Sequence, residues 1–307
     1  MFLRIREEFV GQDCIKLEND ALALWVTTSV GPRILGLALS GGENLFAELP
    51  DQTLDCPGHG AFTFYGGHRL WHAPEDPNRT YLPDDAPVDV SEIEAGVYIV
   101  QPVEVSSGVQ KEISIRLPGT DAQVIVEHRL RNLGKWPVEL AVWAITQLNT
   151  GGEAILPIGA PTVDQYGALP NQHLALWPYT DLHSPHLRLG KQLIRLRADM
   201  TKGAFKLGFG NRSGWLAYLV GDTLFVKFAP YQPELEYYDY GSSSECYCSA
   251  LFIELESLGP RVTLAPGEVV SHREEWALFK GVFFPEDEAS LIDVLKGLRM
   301  EISAGEL

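Results

Sequence analysis

The stretch Glu245–Trp276, ECYCSALFIELESLGPRVTLAPGEVVSHREEW, decides how the rest of the chain is read. Within it Leu251-Phe252-Ile253-Glu254-Leu255-Glu256 alternates strictly, and a period of two marks a strand with one buried and one open face. Leu251, Ile253 and Leu255 are expected in a core. Phe252, Glu254 and Glu256 then share the other face, with the two carboxylates on same-side positions about 7 Å apart by strand geometry. Past Gly259-Pro260 the pattern predicts a short strand at Val262-Thr263-Leu264, a turn at Ala265-Pro266-Gly267-Glu268, and a return strand through Trp276. Proline second and glycine third suit a type II turn, so a hairpin is expected.

Working outward, the same alternation recurs along most of the chain. From Cys14 to Phe46 it predicts a β-meander with turns at Asn19-Asp20 and Gly41-Gly42. Alternating strands follow over 96–116 and 123–131. Val138–Leu148, VELAVWAITQL, is apolar on both sides and is expected at the centre of a sheet. Residues 151–199 read as loops and short edge strands, and 205–228 as another meander. One helix is expected over 285–298, with Leu291, Val294, Leu295 and Leu298 on one face, acids in its first turn, and Lys296 and Arg299 late. With no fixed-period repeat and no linker-like shift, the expectation is one β-sandwich domain over residues 1–307.

Composition narrows the partners. The 307 residues carry 24 basic and 41 acidic side chains, a formal net charge of −17. Such a field repels polyanions, which excludes nucleic acid and anionic membrane surfaces as partners. The first eight residues are charged and lack an apolar core, and no run of 18 uncharged apolar residues occurs; neither a signal peptide nor a membrane span is expected. Four cysteines suit a reducing cytoplasm. Cys246-x-Cys248 reads as packing residues, since no second cysteine pair completes a zinc set, and no H-E-x-x-H spacing occurs. Hence no metal and no cofactor is expected, and the chain is read as a monomer or homodimer.

Two places concentrate chemistry. Beside Phe252, a carboxylate of Glu254 or Glu256 near an anomeric hydroxyl can take its proton and open a pyranose, provided that a second group protonates the ring oxygen. Two close acids push one pKa upward, which suits one for acid and one for base. The second place is Gly66-Gly67-His68-Arg69-Leu70-Trp71-His72-Ala73-Pro74-Glu75, inside a long irregular stretch over 51–87 of the kind that carries function. There Arg69 offers paired donors and Trp71 a flat apolar wall for a sugar. Lys227, in Phe225-Val226-Lys227-Phe228, either snorkels to the surface or faces the cleft, where it would meet Glu254 or an anionic substrate group.

The order of these motifs resembles that of the galactose mutarotase-like proteins, the superfamily of aldose 1-epimerase. The likeness is carried by Gly31-Pro32-Arg33-Ile34, Leu255-Glu256-Ser257, Pro266-Gly267-Glu268 and Trp276, and Gly66-Gly67-x-x-x-Trp71-x-x-Pro74 is similar to a cleft-lining segment of the hexose-6-phosphate epimerases. It implies a mainly β fold, a large antiparallel β-sandwich with one short C-terminal helix, a small-molecule carbohydrate as ligand, and, for an enzyme, an isomerase. It further implies Glu256 as base with Glu254 as rival, and a cleft place for Arg69, His68 and His72. Where the family has a histidine, this chain has Trp143. Two readings therefore stand: a sugar epimerase with His68 or His72 as acid, and a non-catalytic carbohydrate-binding protein, with Arg69, Trp71, Lys227 and Trp143 as the substrate-binding positions.

Overall fold

The alternating segments pair into two large antiparallel sheets and one hairpin in the computed structural model, which describes residues 2–298 and 300. Across the first sheet the strands run Leu3–Phe9, Gln12–Glu18, Leu22–Thr27, Arg33–Leu39, His68–Ala73, Val138–Leu148, Ile253–Leu258, Ser244–Ser249, Ala204–Phe209 and Ala175–Leu176, with Val262–Leu264 added beside Val138–Leu148. The second sheet runs Leu187–Leu189, Leu193–Arg197, Glu153–Pro157, Trp215–Val220, Thr223–Phe228, Val269–Lys280, Gln123–Asn132, Val109–Arg116, Gly96–Val100 and Asp89–Ile93. Their inner faces bury Leu24, Leu70, Leu148, Ile253 and Leu255 against Ile113, Val126, Leu156, Phe225 and Trp276. This is the expected β-sandwich.

The first sheet is covered on its outer face too. There Phe62, Trp71, Ala141, Trp143, Ile145 and Leu258 form a second buried cluster, with Phe62 supplied by the hairpin of Glu48–Cys56 and Gly60–Gly66. Covering on both sides is why Val138–Leu148 reads as apolar throughout. The helix Glu288–Gly297 begins at Asp287, whose carboxylate accepts from the Ser290 amide at 2.8 Å. Its Leu291 and Leu295 pack on the outer face of the second sheet against Ile155, Trp215 and Ala217. Arg299, expected at its end, lies outside the described residues.

Two local expectations need correction. Leu251 is 53% exposed, and the strand begins only at Ile253, after Ser249 and Phe252 close a turn. The Ala265–Glu268 turn forms, with Glu268 N–H donating to Ala265 O at 3.0 Å and Gly267 at φ +90°, as a type II turn requires. It does not close a hairpin. Val262–Leu264 pairs with Val138–Leu140, while Val269–Lys280 is held on both sides by Gln123–Asn132 and Thr223–Phe228 of the other sheet. The turn carries the chain across the sandwich, because partners far away in sequence claim each strand.

Between the sheets lies a fully buried polar network. Lys227 neither snorkels nor enters the cleft: its Nζ lies 2.8 Å from Glu274 Oε1 and donates to the backbone carbonyls of Ala144 (2.9 Å) and Leu255 (3.0 Å). Glu274 also accepts from Ser257 Oγ at 2.5 Å and Trp276 Nε1 at 2.8 Å. His128 Nδ1 lies 3.1 Å from the His272 carbonyl, which can only accept, so this nitrogen carries the proton. His128 Nε2 then accepts from His68 Nε2 at 2.7 Å, and His68 Nδ1 accepts from the Thr146 hydroxyl at 2.9 Å. Both rings are thereby neutral. Burial holds His68, His128 and His272 below the ordinary histidine value, against the pull of Glu274. His68, His128 and Glu274 are grouped closely enough to hold a cation, but the Lys227 ammonium already neutralises that carboxylate.

Lys227→Met strands the Glu274 charge, and urea melts should show a loss of about 3–5 kcal/mol, with much of it restored in Lys227→Met/Glu274→Gln. Below an unfolded value of about 6.5 the unfolded chain takes up protons that these rings refuse, so the contribution of the cluster is lost as pH falls. Long-range 1H–15N spectra should find His68 and His128 still neutral at a pH below that value. Charged rings there would refute the proton order.

Candidate functional site

Strand register places one face of the first sheet under the outer layer, and its side chains line up in cross-strand rows. Arg69 lies opposite Ile145, Ile145 opposite Glu256, and Glu256 opposite Glu245. In the next row Gln147 lies opposite Glu254, Glu254 opposite Tyr247, and Tyr247 opposite Lys206. Trp71 pairs with Trp143 in a third. Directly opposite residues share a face at short Cβ separation, so five strands deliver two cations, three carboxylates and three aromatic rings to one surface.

Over these rows opens a cleft of about 160 Å³, lined by Phe64, Arg69, Trp71, Glu75, Tyr81, Trp143, Ile145, Tyr179, Lys206, Tyr247, Phe252 and Glu254. A larger hollow of about 740 Å³ lies at the sandwich rim among the loops around Gly41-Gly42 and Gly221. None of its ionisable residues, Glu43, Asp222 and Lys280, is buried, so the chemistry points to the smaller cleft.

The two acids of the opening stretch have different surroundings. Glu254 Oε1 accepts from Arg69 Nη2 at 3.1 Å and from Gln147 Nε2 at 2.9 Å. No hydrogen bond reaches its Oε2 among the described residues. Burial, then the charge of Glu256, pushes the Glu254 carboxyl up to about 7, with Arg69 and Lys206 pulling the other way. Glu256 is completely buried beneath the cleft: its Oε2 accepts from Trp143 Nε1 at 2.7 Å and from Lys206 Nζ at 3.0 Å. Lys206 Nζ also lies 2.8 Å from Glu245 Oε2. Burial works against the Lys206 charge, but Glu245 and Glu256 outweigh it and hold the ammonium well above its ordinary value. Burial also pushes the Glu245 carboxyl upward, with the Lys206 charge opposing it.

The aromatic walls are held by their own contacts. The Arg69 guanidinium stacks 4.1 Å from the Trp71 ring centroid, and Trp71 meets Trp143 edge-on at 5.3 Å. Burial lowers Arg69 to about 10, with Glu254 opposing that effect. Tyr81 donates to Glu75 at the rim. Gly208 sits beside Glu245 because a Cβ there would meet Ser242 Oγ at 2.4 Å and Glu245 Cγ at 3.2 Å.

Of the residues expected from the sequence, the structure brings together Glu254, Arg69, Trp71 and Trp143, with Glu256 directly below them. His68 and His72 are not with them. They alternate with Arg69 and Trp71 on one strand, so His68 points into the network between the sheets and His72 is buried 3.5 Å from Glu104. Lys227 is in the same inner network. Gly66 and Gly67 serve the backbone: both have positive φ, and a Cβ on either would lie within about 2 Å of a carbonyl oxygen, Ala47 O or Ile34 O. The resemblance did not point to Lys206, Gln147, Tyr179 or Tyr247. Lys206 had a signal, since a lysine alternating with Phe205, Leu207 and Phe209 is the same oddity that singled out Lys227.

The Glu254 titration tests this arrangement. Carboxyl 13C shifts should give Glu254 a midpoint near 7; Glu256→Gln removes the like charge and should lower it, whereas Arg69→Met removes the counter-charge and should raise it. Movement in the opposite sense would disprove the assignment.

No protein-family model and no curated protein matches the chain. Solved structures do. A galactose mutarotase-like protein from Lactobacillus casei superposes with a TM-score of 0.58 at 13% identity, over 87% of this chain and 100% of that one. A galactose mutarotase related enzyme from Lactobacillus acidophilus gives 0.55 at 8%, over 92% and 98%. A TPR-domain containing protein from Parabacteroides distasonis gives 0.57 at 14%, covering 96% of this chain but only 52% of that one, so the chain spans about half its length. At such identities the likeness is one of architecture, and in architecture this chain has the galactose mutarotase-like fold.

Proposed function

We propose that the chain binds a carbohydrate in this cleft and acts as a sugar epimerase of the aldose 1-epimerase type, with Glu254 as the base. The observation that carries this is the Glu254 carboxylate: one oxygen is pinned by Arg69 and Gln147, the other is unbonded, and its midpoint near 7 suits proton transfer at neutral pH. Glu256, implied as base by the resemblance, is completely buried, with its Oε2 bonded by Trp143 and Lys206; its charge adds to burial in raising Glu254. Trp71, Tyr179, Tyr247 and Phe252 offer flat apolar faces to a pyranose, and Arg69 orients both the base and the sugar hydroxyls.

Arg69 and Lys206 are already matched by carboxylates, which together with the net charge of −17 favours neutral sugars over phosphorylated or acidic ones. The four cysteines are free and buried, as a reducing cytoplasm would keep them. A second reading, carbohydrate binding without turnover, is favoured by one observation: Trp143 fills the place where the resemblance has a histidine, and the cleft lining contains none.

Anomeric exchange measured by NMR for D-glucose, D-galactose, glucose 6-phosphate and glucuronic acid separates the two. The expected result is faster exchange of a neutral sugar, a loss of about 10²–10⁴-fold in Glu254→Gln, and an unchanged dissociation constant. Because the base must be ionised, the rate should rise with pH through about 7 and then level off. Binding without faster exchange would establish the second reading; absence of both would dismiss each.

A further inference from the structure

Opening a pyranose requires a proton for the ring oxygen as well as a base at the anomeric hydroxyl. No histidine lines the cleft, so another group must supply it. Arg69 is committed to Glu254 and Gln147, and Tyr81 donates to Glu75. Tyr179 and Tyr247 carry neutral hydroxyls and meet edge-on at 6.5 Å, so neither brings a charge to the ring oxygen.

Lys206 differs from these in charge and in valence. An ammonium has three N–H donors; Lys206 donates one to Glu256 at 3.0 Å and forms an ion pair with Glu245 at 2.8 Å. It donates to no other oxygen among the described residues. The ammonium lies 4.8 Å from the Trp143 ring centroid and 4.7 Å from that of Trp177, and it lines the cleft in the same cross-strand row as Glu254, with Tyr247 between them. A fixed cation there stabilises negative charge as it develops on a substrate oxygen.

We propose that Lys206 is the catalytic proton donor to the ring oxygen of the sugar, working against Glu254; this rests on the epimerase reading of the cleft. Glu254 takes the proton of the anomeric hydroxyl, and the freed electron pair forms the C1 carbonyl. The bond from C1 to the ring oxygen breaks, its pair stays on that oxygen, and the Lys206 ammonium protonates it, leaving an amine. That amine stays 2.8 Å from Glu245 Oε2, beside the new hydroxyl, until the ring closes. Closure on either face of the carbonyl runs each transfer backwards, so protons and charges balance over the cycle.

The test compares D-glucose with 5-thio-D-glucose, whose ring sulfur is a far weaker proton acceptor than a ring oxygen. Lys206→Met should slow anomeric exchange of D-glucose by about 10²-fold or more, and that of the thio sugar by about tenfold at most, whereas Glu254→Gln should slow both alike. Binding, followed by tryptophan fluorescence, should change little. Should Lys206→Met fail to fold, Lys206→Met/Glu256→Gln removes the stranded carboxylate and carries the same comparison. Equal losses with both sugars would mean that Lys206 only supports the fold and would overturn the assignment. Wild-type rates in Lys206→Met, with Glu254→Gln inactive, would overturn it while leaving the epimerase reading intact. Absence of exchange by the wild type with every sugar would remove both.

Discussion

The Lys227 ammonium is the tie on which the rest of the arrangement hangs. It reaches from the second sheet into the first, bonding the Ala144 and Leu255 carbonyls of two adjacent central strands, and it is neutralised by Glu274 of its own sheet. The opposite faces of those two strands carry Trp143, Gln147, Glu254 and Glu256. A buried pair of this kind contributes little net stability over an apolar substitute, but breaking it is expensive. Its use here is geometric, because it fixes how the cleft-bearing strands sit on the sheet behind them.

The neutral histidines around the pair make sense in the same terms. A buried charge demands a partner, and Glu274 has only enough capacity for Lys227, Ser257 and Trp276. His68 and His128 therefore stay uncharged and pass hydrogen bonds from Thr146 to the His272 carbonyl. Two histidines beside an arginine look like site chemistry in the sequence. In the fold they are the polar filling of a sandwich.

Glu254 and Glu256 show how environment divides roles between identical side chains. They sit two residues apart on one strand face, and Glu256 is sealed by Trp143 and Lys206 while Glu254 keeps an oxygen toward the cleft. Beyond burial, which is the larger cause, Glu256 acts on Glu254 through its charge. The indole at position 143 thus does two things: it walls the cleft, and its N–H occupies an oxygen of the carboxylate that the resemblance marks as base.

Much of this was determined by the sequence alone. Alternation over 252–256 put Glu254 and Glu256 on one face, two-sided apolarity marked Val138–Leu148 as central, and a 3.6-residue period with ordered charges placed a helix over 285–298, where one forms at Glu288–Gly297. Each is a local property, carried by neighbours along the chain. Only the tertiary structure decided that Val262–Leu264 and Val269–Lys280 part to different sheets, that His68 and Lys227 point inward, and that Lys206 meets Glu256 across 50 residues of sequence. Period tells which side of its own strand a residue takes; what lies beside that strand, and whether core or cleft covers its face, depends on pairings between segments far apart in the chain.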